Sequence, residues 1–220
     1  MSAFGGPNII TDGLVLSLDA GNVKSYPGSG TTWYDKSGNG NNGTLTNGPT
    51  FATGSIVFDG VDDYVNLGIS PTTLLEGTIP TTISAWFRTD IQSQQMIFGN
   101  GNSSRFYIEV FNNSGTFVAH WGFGDTQNSL TSQAIITVGE WYNYTATYDG
   151  NVAKGYLNGN NTDTQTIGTK SYAGNMQIGN YGLDGLWFNG DIATLLTYNR
   201  TLTSQEILQN YNATKGRFGL

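Results

Sequence analysis

At 220 residues the chain is long enough to bury one sizeable core, and its 13% aromatic content is too high for a disordered polymer. A formal net charge of −7 without any Lys/Arg cluster argues against a nucleic-acid partner, because phosphate charge must be met by a basic stripe. No apolar run approaches the ~20 residues that span a bilayer, so membrane insertion is not expected. The absence of cysteine removes disulfides, thiolate metal sites and cysteine nucleophiles together.

Residues 1–13 are turn-rich, contain Pro7, and read as an N-terminal arm, flexible or docked, ahead of one domain over 14–220. They carry neither a basic stretch nor an apolar one, so no secretory leader is expected. Leu14–Leu18 reads as the first core strand. From Ala20 to Pro49 the chain is loop chemistry, rich in Gly, Asn and Ser, and its aromatic pair Trp33 and Tyr34 is expected to pin it.

Short strands with turn signals between them then follow over Ser55–Phe58, Tyr64–Leu67, Thr82–Arg88, Gln95–Phe98, Arg105–Phe111, Thr116–Trp121 and Ala134–Val138. The clearest pattern is WYNYTATYDGNVAKGYLNG, residues 141–159. Tyr142, Tyr144, Ala146 and Tyr148 alternate with polar neighbours, and Asp149-Gly150 and Asn158-Gly159 supply hairpin turns, which predicts an antiparallel sheet with one buried face. Thr164–Ile167, Met176–Ile178 and Asp191–Tyr198 complete the strands. Only the end reads as helical: Thr203 and Glu206 fit a capping box, with Ile207, Leu208 and Tyr211 as one apolar stripe. The fold class is all-β, a sandwich or barrel closed by a short C-terminal helix.

YPGSGTTWYDKSGNGNNGTL, FDGVDDYVNLG, TTISAWFRT, WYNYTATYDG with GYLNG, and FNGDIATLLTYNRTLTSQEI resemble successive blocks of the laminin-G-like jelly rolls, within the concanavalin A-like lectin/glucanase superfamily. The resemblance covers the chain from Leu14 to Tyr211 and implies a two-sheet antiparallel jelly-roll sandwich. Many relatives bind glycans on a concave sheet or at rim loops. The opening GGPNIITDGLVLSLDAGN is similar to virion structural proteins of tailed phages, cyanophages among them, which implies a virion location and synthesis without a leader. The same similarity implies virion proteins and host-surface polysaccharide as partners, and a homo-oligomer or many copies on a particle.

Glycoside hydrolysis needs two carboxylates about 5–9.5 Å apart. The Glu-x-Asp-x-x-Glu strand of the superfamily's glucanases is absent, and so is the Gln-x-His of its lyases, so no catalytic residues are assigned and a polysaccharide-active enzyme ranks third. Glu109 and the single histidine, His120, lie on neighbouring strands and can face one groove. The pentraxin branch of the resemblance points to loops 100–104 and 180–184, hence to Asn100, Asn102 and Asp184. Phe188 matches the family's buried aromatic, which frees Trp187 to project beside those loops as a stacking platform for a sugar ring. A single weakly held calcium ion at Asp184, or at Asp59, Asp62 and Asp63 in DGVDD, is the most these acidic groups support, and no cofactor is required. The first functional reading is a non-catalytic virion surface protein that binds glycans. The second is a capsid- or tail-decorating protein making only protein contacts.

Overall fold

The computed structural model describes residues 7–75, 80–100, 105–124, 134–168, 174–180 and 185–220. Its strands are β1 (Leu14–Asp19), β2 (Thr32–Trp33), β3 (Gly43–Thr46), β4 (Thr50–Ala52), β5 (Ser55–Asp59), β6 (Tyr64–Asn66), β7 (Thr81–Thr89) and β8 (Gln95–Asn100). They continue with β9 (Arg105–Asn113), β10 (Thr116–Gly124), β11 (Tyr142–Tyr148), β12 (Val152–Leu157), β13 (Asn160–Thr166), β14 (Met176–Ile178) and β15 (Asn189–Tyr198). A single helical turn, α1 (Pro71–Leu74), follows β6, and α2 (Ser204–Thr214) runs into a 3-10 turn over Lys215–Phe218.

The strands form two antiparallel sheets. An eight-stranded sheet runs β13-β12-β11-β7-β15-β5-β4, with β1 also paired to β15; a seven-stranded sheet runs β10-β9-β8-β14-β6-β3-β2. Half of the neighbouring pairs in these orders are consecutive hairpin strands and half are crossovers between strands distant in sequence, such as β7 with β15 and β8 with β14, as in a jelly roll. The core lies between the sheets. Tyr144, Ala146 and Tyr148 enter it from one side, and Phe106, Ile108, Trp121 and Phe123 from the other, all fully buried. This is the all-β, two-sheet sandwich with a C-terminal helix that the strand pattern and the resemblance imply.

The outer faces of the two sheets differ. On the eight-stranded sheet Asn143, Thr145 and Thr147 are also buried, so the alternation that predicts one solvated face does not hold there. The reason is α2 together with Ile9 and Ile10, which pack on that face with Tyr156, Leu196, Tyr198, Leu202 and Ile207. A polar layer satisfies itself beneath them: Asn143 Nδ2 donates to Ser84 Oγ at 3.1 Å, and Thr145 Oγ1 bonds Ser84 Oγ at 2.8 Å. Residues 8–10 are docked: Ile10 N donates to Asn210 Oδ1 and Gln209 Nε2 donates to Asn8 O, each at 2.8 Å.

Several local expectations are corrected. Trp33 is fully buried but Tyr34 is exposed; the long loop is held instead by Tyr26, Trp33 and the carboxylate of Asp35, and it contains β2 and β3. Asp35 Oδ1 accepts from Ser17 N and Ser37 N, and Oδ2 from Ser37 Oγ and Asn41 N, at 2.7–3.0 Å. Ala134–Val138 alternates as a strand should, with Ala134 and Ile136 buried, yet forms only one isolated bridge, to Val118. In α2 Leu208 is exposed and Asn210 is buried in its place, because Asn210 is hydrogen-bonded to Ile10 N and to the Tyr198 hydroxyl.

The capping box is present, with Thr203 Oγ1 accepting from Glu206 N and Glu206 Oε2 accepting from Thr203 N. Arg200 also grips Glu206 through both terminal guanidinium nitrogens, Nη2 at 2.6 Å and Nη1 at 3.1 Å. That hydrogen-bonded pair, helped by Thr203, pushes the Glu206 carboxyl down to about 2. A depressed carboxyl stabilises the fold above its unfolded value, near 4.3, and the contribution disappears as pH falls toward the folded value. Glu206→Gln is therefore expected to cost about 1–2 kcal/mol at pH 7, after allowance for solvent screening, and almost nothing near pH 2. Urea melts at the two pH values check this; an equal loss at both would show that the ion pair contributes nothing.

Candidate functional site

Because α2 occupies the outer face of the eight-stranded sheet, the outer face of the seven-stranded sheet is the other large surface. Side chains alternate along its strands. Phe106, Ile108 and Val110 go to the core, which turns Tyr107, Glu109 and Phe111 outward; Ala119 and Trp121 go inward, which turns His120 outward. The β9–β10 hairpin turns at Ser114 and Gly115, both with positive φ, and this register sets Glu109 directly opposite His120.

His120 Nδ1 lies 3.4 Å from Glu109 Oε1, and both side chains are more than nine-tenths buried. Gln94 Nε2 donates to Glu109 Oε2 at 3.1 Å. Tyr107 and Phe111 flank the imidazole with ring centroids at 6.1 and 5.3 Å. Tyr107 itself lies flat over Gly122, where a Cβ would fall 2.2 Å from its ring. Thus Glu109 and His120 form one polar pair in an aromatic frame on the face turned away from the core.

The pairings carry this level across the sheet. Glu109 is opposite Met96 on β8; β14 and β6 continue the ladder, and Tyr64 falls at the same level to within about one residue. From β10 to β6 there are four strand spacings, about 19 Å. The segment 185–188 lies along this row. Met96 N donates to Leu186 O, Phe188 N donates to Gly179 O, and Leu186 packs on Met96 and Tyr107. Phe188 is fully buried, as the resemblance implies, and Trp187 is half-buried with its ring 6.3 Å from that of Tyr64. The row therefore has a carboxylate–imidazole pair at one end and a Tyr–Trp pair at the other.

Beside Tyr64 is the DGVDD turn. Asp59, Asp62 and Asp63 each place one carboxylate oxygen within 4.8 Å of the others. Two of these carboxylates also brace the turn: Asp59 Oδ1 accepts from Val61 N at 2.8 Å, and Asp63 Oδ2 from Asp59 N at 3.0 Å. Burial pushes the Asp63 carboxyl up, with Asp59 and Asp62 adding to the effect against the Asp59 backbone hydrogen bond. Among the described residues this is the group that could hold a cation.

Of the residues singled out from sequence, Glu109 and His120 are brought together, and Trp187 shares their row from its far end. Asn100 is corrected. It is fully buried, and its Oδ1 accepts from Phe106 N at 2.6 Å, so its carboxamide tightens the β8–β9 connection and does not line a rim. Asn102 and Asp184 lie outside the described residues. Sequence reasoning missed Tyr64, Gln94 and Tyr107. The outward parity of Tyr107 could have been read from its alternation with Phe106 and Ile108, but the Tyr64–Trp187 contact joins segments with no local link.

Known proteins share this architecture. A family model described as the concanavalin A-like lectin/glucanases superfamily matches residues 59–208. No curated protein sequence matches the chain. Among solved structures, Trypanosoma rangeli sialidase in complex with the inhibitor DANA superposes with a TM-score of 0.68 at 16% identity, over 93% of this chain and 33% of the sialidase. The chain thus spans about a third of the sialidase chains it matches. Domain 4 of AbnA, a GH43 extracellular arabinanase from Geobacillus stearothermophilus, in complex with arabinotriose, superposes with a TM-score of 0.65 at 18% identity, over 90% of this chain and 98% of that domain. A SAP-like pentraxin from Limulus polyphemus aligns over 60% of this chain and 69% of its own, at 19% identity with a TM-score of 0.50. At these identities the likeness is one of fold. With its family model covering 150 of 220 positions, the chain belongs to the concanavalin A-like lectin/glucanases superfamily, as a laminin G-like jelly roll.

Proposed function

We propose that this protein is a non-catalytic glycan-binding module, and that the row on the outer face of the seven-stranded sheet is its site. The observation that carries the reading is the row itself. Aromatic rings at Tyr64 and Trp187 suit the apolar face of a sugar, and the buried Glu109–His120 pair, about 14 Å away and three strand spacings on, holds the exposed Gln94 carboxamide, which offers polar contacts. A length of that order accommodates a short oligosaccharide. The fold is shared by lectins and glycosidases, and a domain of this size and fold is the arabinanase module solved with arabinotriose.

The absence of catalysis is part of the proposal. Glu109 is the only carboxylate on β8, β9 and β10, whereas hydrolysis requires a second within about 9.5 Å. A calcium ion weakly held by Asp59, Asp62 and Asp63 beside Tyr64 completes the site as proposed, with no cofactor required. Display in many copies on a phage particle is supported by the resemblance of the opening segment alone, and it would let individually weak sites act by avidity.

The test is a paired measurement on Trp187→Ala: binding to host-surface polysaccharide, with and without a chelator, and incorporation into particles. We expect affinity to fall about tenfold and stability to change by less than about 2 kcal/mol, because the indole is only half-buried. Unchanged glycan binding would overturn the assignment. Detachment from the particle with binding intact would make the row an assembly interface. Release of sugar products that Glu109→Gln abolishes would make the protein an enzyme. A chelator that leaves binding untouched would remove the cation from the site.

A further inference from the structure

On the other side of the sandwich a cleft of about 260 Å³ opens beside the end of α2, a little below the range of drug-sized ligand pockets and of a size for one sugar residue. Five separate parts of the chain build it. The β4–β5 hairpin tip contributes Ser55, the β7–β15 pair contributes Arg88 and Asp191, and the 3-10 turn after α2 contributes Arg217 and Phe218; Trp141 closes the wall. None of these residues belongs to the row.

Asp191 is buried at the cleft floor. Its Oδ1 accepts from Ser55 Oγ at 2.6 Å, and its Oδ2 accepts from Arg88 Nη2 and Nε at 2.6 and 3.1 Å. The Arg88 guanidinium lies 6.0 Å from the Trp141 ring, and Phe218 lies 4.7 Å from the same ring. Opposite, Arg217 pairs with Asp19 and donates to Gly54 O. Each guanidinium thus has a carboxylate partner, and Asp90 stands a further 3.8 Å from Arg88.

This balance decides the ligand chemistry. An anion would gain little from cations already neutralised and would meet Asp191 and Asp90 as well. A planar donor–acceptor pair beside an indole instead matches vicinal hydroxyl groups, each of which both donates and accepts, with the ring's apolar face toward the aromatic wall. We infer that the Arg88–Asp191–Trp141 cleft is a second saccharide site, for a neutral sugar residue, distinct from the row and on the opposite side of the sandwich.

The experiment is an amide-resolved NMR titration of the isotope-labelled full chain, wild type and Trp187→Ala, with arabinotriose and maltotriose as neutral probes and glucuronate as the anionic one. The expected result is that a neutral probe shifts the Thr53 and Gly54 amides and the Trp141 indole in both proteins. Trp141→Ala should abolish those shifts. Arg217→Ala, which removes a lip of the cleft without uncovering Asp191, should weaken them about tenfold and serves if the tryptophan variant does not fold. No response at these positions from either neutral probe overturns the inference, as does a response to glucuronate alone or one that Trp187→Ala abolishes. A response at the cleft with none at Glu109 and His120 would uphold the second site while removing the row.

Discussion

Asp35→Ala is expected to lower the melting temperature on the order of 10 °C, corresponding to about 3–5 kcal/mol for a chain of this size. The carboxylate accepts four hydrogen bonds from three residues, Ser17 on β1 and Ser37 and Asn41 in the turn, and it is nearly inaccessible to solvent. Its removal leaves Ser17 N inside the sandwich edge without an acceptor, and the 37–41 turn, which has no apolar residue, is then held to β1 only by side-chain bonds from Ser37, Asn39 and Asn41 to Leu14 O and Val15 O. Asp35→Asn should recover part of the loss, since one carbonyl oxygen can still accept two of the bonds. Calorimetry on both variants is the check. A change of less than about 2 °C in Asp35→Ala would mean that the loop is held by Tyr26 and Trp33 without it.

The second large effect is expected at Gly190. This residue sits in β15 with φ +139°, and a Cβ there would lie 2.2 Å from Arg88 O and 2.9 Å from Thr89 Cα. Both obstacles are backbone, so no rotamer change relieves the clash; β15 would have to part from β7. Asn189 N bonded to Gln95 Oε1 on one side, and Asp191 bonded to Arg88 on the other, oppose that movement. Gly190→Ala should therefore cost about 3–5 kcal/mol, more than an ordinary surface substitution by a wide margin. Equilibrium unfolding in urea measures it, and a variant within about 1 kcal/mol of the parent would show that the sheet yields there.

The hairpin from Tyr142 to Leu157 was legible because its Asp-Gly turn and its apolar positions are local, and the strand pairing they predict is present; the solvation of its polar face was not, because α2 covers it. The strands inside the long loop were not. β2 has two residues and β3 contributes one core side chain, Leu45, so no periodicity betrays them. Asp35 looks like any turn aspartate until Ser17, 18 residues earlier, is brought against it by the fold. At the candidate site the outward directions of Glu109 and His120 followed from alternation. Their direct opposition depends on the Ser114-Gly115 turn, which fixes the register between two strands that would otherwise tolerate a slip. The partner of Trp187 was beyond reach, because Tyr64 meets it only through the strand order of a jelly roll.

The docking of residues 8–10 on α2, and of Phe218 on Trp86 at 4.1 Å, places both described ends of the chain on the helical side of the sandwich. Any leash, support or neighbouring domain joined at either end leaves from that side and pulls away from the seven-stranded sheet. The row of Glu109, His120, Tyr64 and Trp187 then points outward from whatever surface the module is tethered to. The cleft beside the 3-10 turn faces back toward that surface, where access depends on the length of the tether.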